Sequence, residues 1–288
     1  MKKIKNIFAF VIITVLIHAC GNSSTTTLDD FDHEAQALVD NDTLVQFLQN
    51  HYYDTSVDSV KAIISGQEAL IDNVESMKIT ENEIDYTLYY FVKKQGTPTI
   101  DKGNPTVMDS VYVKYNGQRI VETDSISGSF DSNNGIWITL NGVIRGWAHG
   151  FTKFKGGDNV TNNGPITYEN GGRGILFIPS GLAYSNIGSG SILANECLMF
   201  NIDLYEFVKD TDHDNDGIAS IYEDPDGNND SRDDDTDEDG TPNFFDTDDD
   251  GDGVLTINED ANGDGNPAND FSDPNNPTLP DYLNPDIN

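Results

Sequence analysis

The decapeptide GVIRGWAHGF, residues 142–151, has the apolar spacing of a helix and the glycine content of a loop. Val143, Trp147 and Phe151 recur every four residues, and Ile144 and Phe154 widen the same apolar face. Gly146 and Gly150 interrupt it, each costing about 1 kcal/mol against Ala in a helix interior. One of the chain's two tryptophans therefore sits on a poor helix. The stretches on either side give that placement a reason.

From Ile84 to Val208 strands dominate. TLYYFVKK reads as a strand followed by a Gly/Pro turn, and GILFIP and LMFNIDLYEF as two more. VYVKYNG alternates, so Val111, Val113 and Tyr115 face one side and Tyr112 and Lys114 the other. In the last strand Leu198, Phe200, Ile202 and Leu204 share a face; Leu198, Ile202 and Phe177 read as core. Antiparallel strands packed around one short helix make an α+β domain.

VYVKYNG, SFDSN, GVIRGW, FIPSGLAY and CLMFNIDL, in that order, resemble an FKBP-type peptidyl-prolyl isomerase over residues 84–208. The resemblance implies a curved antiparallel sheet wrapped around a short helix, with an apolar pocket between them. Trp147 is then the pocket floor, Val143 and Ile144 a wall, and the N–H of Ile144 a donor to a ligand carbonyl. Tyr115, Phe130, Asp131, Tyr184 and Phe200 match the remaining aromatic and acidic positions, with Asp131 alternatively a turn residue of FDSN. The glycines of the decapeptide become sites of close helix–sheet approach. No cofactor is implied for catalysis, and His149 reads as a solvated surface histidine.

This chain departs from the family pattern in places. Ser185 follows Tyr184 where the family usually has Gly, and Leu193-Ala194 replace paired prolines before the last strand. A further wall position aligns with Ile136 or Trp137, and residues 156–173 are an insertion that reads as a lid, a client-binding hairpin or a disordered loop.

Residues 31–83 read as a helical spacer or docking segment. Ala37, Leu38, Leu44, Val45, Phe47 and Leu48 space as one amphipathic face, Asp42 or Thr43 as a cap, and Ala62 to Val74 as a second helix. Before them, MKKIKNIFAFVIITVLIHAC resembles a bacterial lipoprotein signal: Lys2, Lys3 and Lys5, an apolar core too short to span a bilayer, then Ala19-Cys20. The resemblance implies cleavage after residue 19, a lipid on Cys20, a flexible tether over 20–30, and a membrane location facing the periplasm or cell surface. Cys197, the other cysteine, reads as buried and inert.

From Asp210 onward 26 Asp or Glu face one basic residue, Arg232, so this region holds −25 of the chain's −34. Such a potential repels phosphate backbones and excludes nucleic acid as a partner; it attracts cations. Asp212, Asp214, Asp216 and Glu223 fit a twelve-residue calcium loop with Gly at position 6. So do Asp235, Asp237, Asp239 and Asp246, and Asp248, Asp250, Asp252 and Glu259; a fourth loop begins at Asp260 and degenerates. PNFFDTD at 242–248 echoes PDYLNPD at 280–286. Because the first loop follows a strand directly, residues 209–288 resemble thrombospondin type-3 repeats, which implies structural calcium. The sequence thus predicts a lipid-anchored prolyl isomerase for proline-containing exported proteins. The alternatives are a proline-segment-binding chaperone and a calcium-dependent adhesion or stalk protein.

Overall fold

The computed structural model describes residues 30–287; the signal, Cys20 and all but the last residue of the tether lie outside the described residues. Helix α1 (His33–Asn50) is followed by a hairpin of β1 (His51–Asp54) and β2 (Ser59–Ala62). Then come β3 (Glu75–Glu81), β4 (Ile84–Lys94), β5 (Ser110–Val121) and β6 (Ser125–Thr139). Helix α2 (Arg145–Phe151), a short hairpin of β7 (Asp158–Asn159) and β8 (Tyr168–Glu169), β9 (Gly172–Ile178) and β10 (Leu198–Val208) complete the domain. Six strands form one sheet in the order β3-β4-β9-β10-β5-β6, every neighbouring pair antiparallel. This is the α+β architecture expected from the sequence.

The sheet buries both faces, and strand parity assigns the residues. On one face Leu176, Ile178, Leu198, Phe200, Ile202, Leu204, Val111 and Val113 pack with Trp147, Phe151 and Phe154. On the other, Ile175, Phe177, Cys197 and Met199 pack with Leu44, Phe47 and Leu48 of α1. An uninterrupted GILFI run is the pattern of a strand covered on both sides. Helix α1 is therefore a structural layer of the domain rather than a spacer.

The glycines of α2 do what their spacing suggests. A Cβ on Gly146 would stand 2.3 Å from Ile178 Cγ2, and one on Gly150 2.5 Å from Leu176 Cδ1. Four helical residues rise about 6 Å and two strand residues about 6.6 Å. One helical stripe of bare backbone therefore matches two successive same-face side chains of β9.

Several expectations are corrected. The N-terminal segment holds one helix rather than two: residues 62–74 form the end of β2, a loop and a single 3₁₀ turn at Leu70–Asp72. Ile63 and Ile64 are exposed and Gly66 has φ of 91°, so no apolar face is available to stabilise a helix there. The main sheet starts at Glu75, inside the segment read as N-terminal. Asp32 caps α1, its side chain accepting from Ala35 N at 2.9 Å, while Asp42 and Thr43 are interior to the helix. Leu38 is 69 % exposed, off the buried face of Ala37, Leu44, Phe47 and Leu48. Val143 and Ile144 precede α2 instead of belonging to it, because a 3₁₀ turn at Leu140–Gly142 interrupts the chain. SFDSN is not a turn but part of the long strand β6, bulged against β5.

Substituting Gly146 or Gly150 by Ala will destabilise the domain by about 1–3 kcal/mol through overpacking against β9. Helix propensity alone predicts stabilisation of about 1 kcal/mol, so the sign of the shift in denaturation midpoint decides which effect wins.

Candidate functional site

Tyr115, Phe130, Asp131, Val143, Ile144, Trp147, Tyr184 and Phe200 line a single cleft of about 330 Å³, joined by Ile138 and Gly142. All eight positions named from sequence meet there. The further wall is Ile138 rather than Ile136 or Trp137: Trp137 is on the opposite face, 46 % exposed, its ring 5.4 Å from that of Tyr112. Strand parity excludes Trp137, while Ile136, on the same face as Ile138, is left outside the cleft lining.

Trp147 forms the base, buried among rings set edge-to-face: 4.8 Å to Tyr115, 5.0 Å to Phe200 and 5.4 Å to Phe151. Phe130 meets Phe200 edge-on at 5.5 Å. That pair depends on Gly117, which the register places between Phe200 and Asp131. A Cβ there would lie 2.5 Å from Phe200 and 2.7 Å from Phe130. Tyr115 Oη donates to Asp131 Oδ2 at 2.8 Å; burial, then this carboxylate, push the phenol up to about 12. The phenol is thus not a poised acid or base at neutral pH. Ile144 is the N-cap of α2, and its N–H makes no hydrogen bond among the described residues. The cleft is an apolar, aromatic-walled cavity with a hydrogen-bonded phenol–carboxylate pair at its rim.

Two supports were not legible in the sequence. Asp40, on α1 and 1 % exposed, accepts from both N and Oγ of Ser180 at 2.7 Å. It thereby ties the outer helix to the segment leading into Tyr184. An Asp among apolar neighbours in an amphipathic pattern gives no hint of a partner 140 residues away. The second support is backbone: Ser185 has φ of 51°, and its N–H and C=O bond Ser180 O and Asn195 N at 2.8 Å. The left-handed conformation explains why Gly suits this position. The loop beyond exposes Ile187 and Leu193 to solvent.

His149 is half-buried rather than solvated, with Nε2 3.1 Å from Arg145 Nη2. Arg145 Nε donates to Glu81 Oε2 at 3.0 Å, and Glu81 also accepts from Arg232 of the acidic tail at 3.2 Å. Burial, then the Arg145 charge, hold His149 down at about 4. The insertion is not a lid on the cleft. Its Tyr168 stacks on Tyr205 at 5.8 Å and lies 5.2 Å from Tyr112, on the far face of the sheet.

The tail departs directly from β10 and is clamped by buried Asp109, which accepts from the N–H groups of Thr106 and Thr211. Five loops then share one geometry, in which the first Asp accepts from the N–H of the sixth residue. These pairs are Asp212–Gly217, Asp224–Asn229, Asp235–Gly240, Asp248–Gly253 and Asp260–Gly265. The sixth residue has positive φ in each. The loop at 224–235, DPDGNNDSRDDD, escaped the sequence pattern because Asn229 takes the left-handed position usually held by Gly.

Carboxylates converge within the loops: Asp212, Asp214 and Asp216; Asp224, Asp226 and Asp234; Asp235, Asp237 and Asp239; Asp248, Asp250 and Asp252. Asp246 stands outside its expected group and accepts from Asp248 N. Both carboxylate oxygens of Glu223 and of Glu259 are buried without a partner. Burial and neighbouring carboxylates push Glu223 up to about 10 and Glu259 to about 8. Orphaned hard oxygens at this density are a donor set suited to calcium.

A family model described as FKBP-type peptidyl-prolyl cis-trans isomerase matches residues 101–205, and one described as BamM C-terminal matches residues 213–281. The first match takes in β5, β6, α2, β9 and most of β10. The FKBP-type isomerase FkpA of Aeromonas hydrophila is 32 % identical over 154 residues, 53 % of this chain and 49 % of that protein. FkpA of Escherichia coli K12 is 25 % identical over 213 residues, 66 % of this chain and 73 % of that protein. The chain thus spans about half the length of the first of these relatives. The crystal structure of Escherichia coli FkpA superposes with a TM-score of 0.34 at 26 % identity, covering 46 % of this chain and 52 % of that one.

Because the folded pKa of His149 lies below its unfolded value near 6.5, its contribution to stability is present above pH 6.5 and lost as pH falls towards 4. Between pH 7 and pH 5 this amounts to about 1–2 kcal/mol. A His149→Gln variant will show that much less acid destabilisation in denaturant titrations at the two pH values.

Proposed function

We propose that this protein is a peptidyl-prolyl cis-trans isomerase acting on exported proteins, tethered to a bacterial membrane through lipidated Cys20 and carrying a calcium-organised tail. The observation that carries the reading is the convergence of all eight positions on one apolar, aromatic-walled cleft. The FKBP-type match over residues 101–205 and the isomerase relatives support it.

Prolyl isomerisation suits such a cleft because it breaks no σ bond. Rotation faces a barrier of about 18–20 kcal/mol set by imide resonance, and takes roughly 10–100 s unaided. Moving the imide into an apolar cavity weakens the charge-separated resonance form, while a twisted imide, having lost that resonance, suffers less. Walls that fit the twisted form then bind it more tightly than either planar isomer. In this reading Trp147 receives the proline ring and Ile144 N–H holds the carbonyl that follows. Phe130, Phe200, Val143 and Ile138 exclude water, and the Tyr115–Asp131 pair fixes the rim.

Where calcium is bound, the loop carboxylates and Glu223 and Glu259 supply its oxygens, and the ion neutralises charges that otherwise repel. No helix among the described residues is long and apolar enough to cross a membrane, so attachment rests on the lipid. A second reading, a chaperone gripping proline-containing segments with little turnover, is favoured by the exposed Ile187 and Leu193 beside Tyr184.

The test is cis/trans exchange of a Phe-Pro peptide by NMR, using protein from Gly21 onward beside a Tyr184→Ala/Phe130→Ala double variant. We expect acceleration by the wild type and at least a tenfold loss in the double variant. A peptide that binds without faster exchange would establish the chaperone instead.

Chelation of calcium will leave exchange largely intact, because no tail residue lines the cleft. It will expose residues 212–286 to proteases while the isomerase domain stays resistant, read by limited digestion and mass spectrometry.

A further inference from the structure

Asp249 is the residue of the 248 loop that its own loop does not use. The oxygens that converge there come from Asp248, Asp250 and Asp252. Asp249 instead places a carboxylate oxygen within 4.8 Å of oxygens from Asp216 and Glu223, both of the 212 loop. These three side chains are the most enclosed acids of the tail: Glu223 is 0 % exposed, and Asp216 and Asp249 are each 1 % exposed. Both oxygens of Glu223, both of Asp249 and Oδ2 of Asp216 make no hydrogen bond.

Among the described residues no cationic side chain pairs with them. Arg232, the tail's basic residue, is engaged by Asp230 and Glu81. The nearby His213 turns Nδ1 to Ser220 Oγ at 2.8 Å. Ile218, Tyr282 and Leu283 form a small apolar core, with the buried Tyr282 beside Asp249, Glu223 and Asp216. Water therefore has little access. Three carboxylates left as buried, unpaired anions would each cost several kcal/mol.

We propose that Asp216, Glu223 and Asp249 jointly hold one hard divalent cation, with calcium the best fit to an all-oxygen donor set. Asp249 thus gives the 212 loop a ligand from outside its own twelve residues. The ion ties the loop rooted on β10 to the 248 loop across the two intervening loops at 224 and 235. Cation binding in these loops is then cooperative, and the tail folds as a unit rather than loop by loop. This rests on the calcium reading above.

The experiment is calcium titration by calorimetry of the full chain after chelator treatment, comparing wild type with Asp249→Asn, Glu223→Gln, the double variant and a control, Glu238→Gln, at an exposed site. Terbium luminescence sensitised through Tyr282 supplies a local readout, checked with Tyr282→Phe. We expect Asp249→Asn and Glu223→Gln each to weaken the same ion at least tenfold and to lower Tyr282-sensitised luminescence. The double variant should add little to either, because both remove ligands of one ion. The emission of Trp137 and Trp147, both outside the tail, reports whether each variant is folded. If Glu223→Gln loses an ion while Asp249→Asn titrates as wild type, the shared site is overturned and the calcium reading stands. If the wild type takes up no calcium, the calcium reading itself fails.

Discussion

The close seating of α2 on β9 is the contact on which the rest of the domain depends. Gly146 and Gly150 let the helix backbone descend onto Ile178 and Leu176, closer than any side chain would permit. That descent sets the depth of Trp147 and hence the floor of the cleft. It also places Ile144 at the helix entry, where its N–H has no intrahelical partner. A better helix, with alanines in place of glycines, would stand farther off and leave the cavity without a base. Local propensity is sacrificed here for tertiary fit, a conflict expected at functional positions.

The sheet is held from its other side as well. Phe47 and Leu48 of α1 pack on Phe177 and Met199, while Asp40 reaches the backbone of Ser180. Buried polar contacts of this kind fix geometry more than they add stability, since an unpaired carboxylate there would be costly. The strand that carries the cleft's inner wall is thus clamped between two helices. The segment before Tyr184 is positioned from the outer layer, far in sequence from the cavity it borders.

The acidic tail follows a different physics. Its apolar core is limited to Ile218, Tyr282 and Leu283 with Ala268 and Leu279 around them. About half of its buried residues are carboxylates, and one group of them, Asp216, Glu223 and Asp249, brings oxygens of two loops together. On the calcium reading proposed above, neutralising that charge would couple ion binding to folding. The Glu81 carboxylate, shared by Arg145 of the cleft helix and Arg232 of the tail, is a direct ionic bridge from these loops to the layer that carries the cleft.

The sequence by itself determined the α+β class, the inward parity of β5 and β10, the glycine contact of α2, the cleft residues and the repeated aspartates. The strand parity and the aspartates are written in local spacing, period two in strands and alternate acids in a loop, whereas the cleft residues and the role of the helix glycines came through the resemblance to FKBP-type isomerases. Tertiary structure alone decided the single N-terminal helix and its role as an outer layer, since amphipathic spacing does not say what an apolar face will meet. It also chose Ile138 over Ile136, because the two share a face of β6 and only the position of the turn and helix that follow decides which of them borders the cleft. Asp40 under Ser180, the 224 loop with Asn229 in place of glycine, and Asp249 turned towards Glu223 belong to the same group. For Asp40 and Asp249 the partner is remote in the chain, and only folding brings the two groups into reach; in the 224 loop the contact is local, and Asn229 simply takes the conformation that the pattern assigns to Gly.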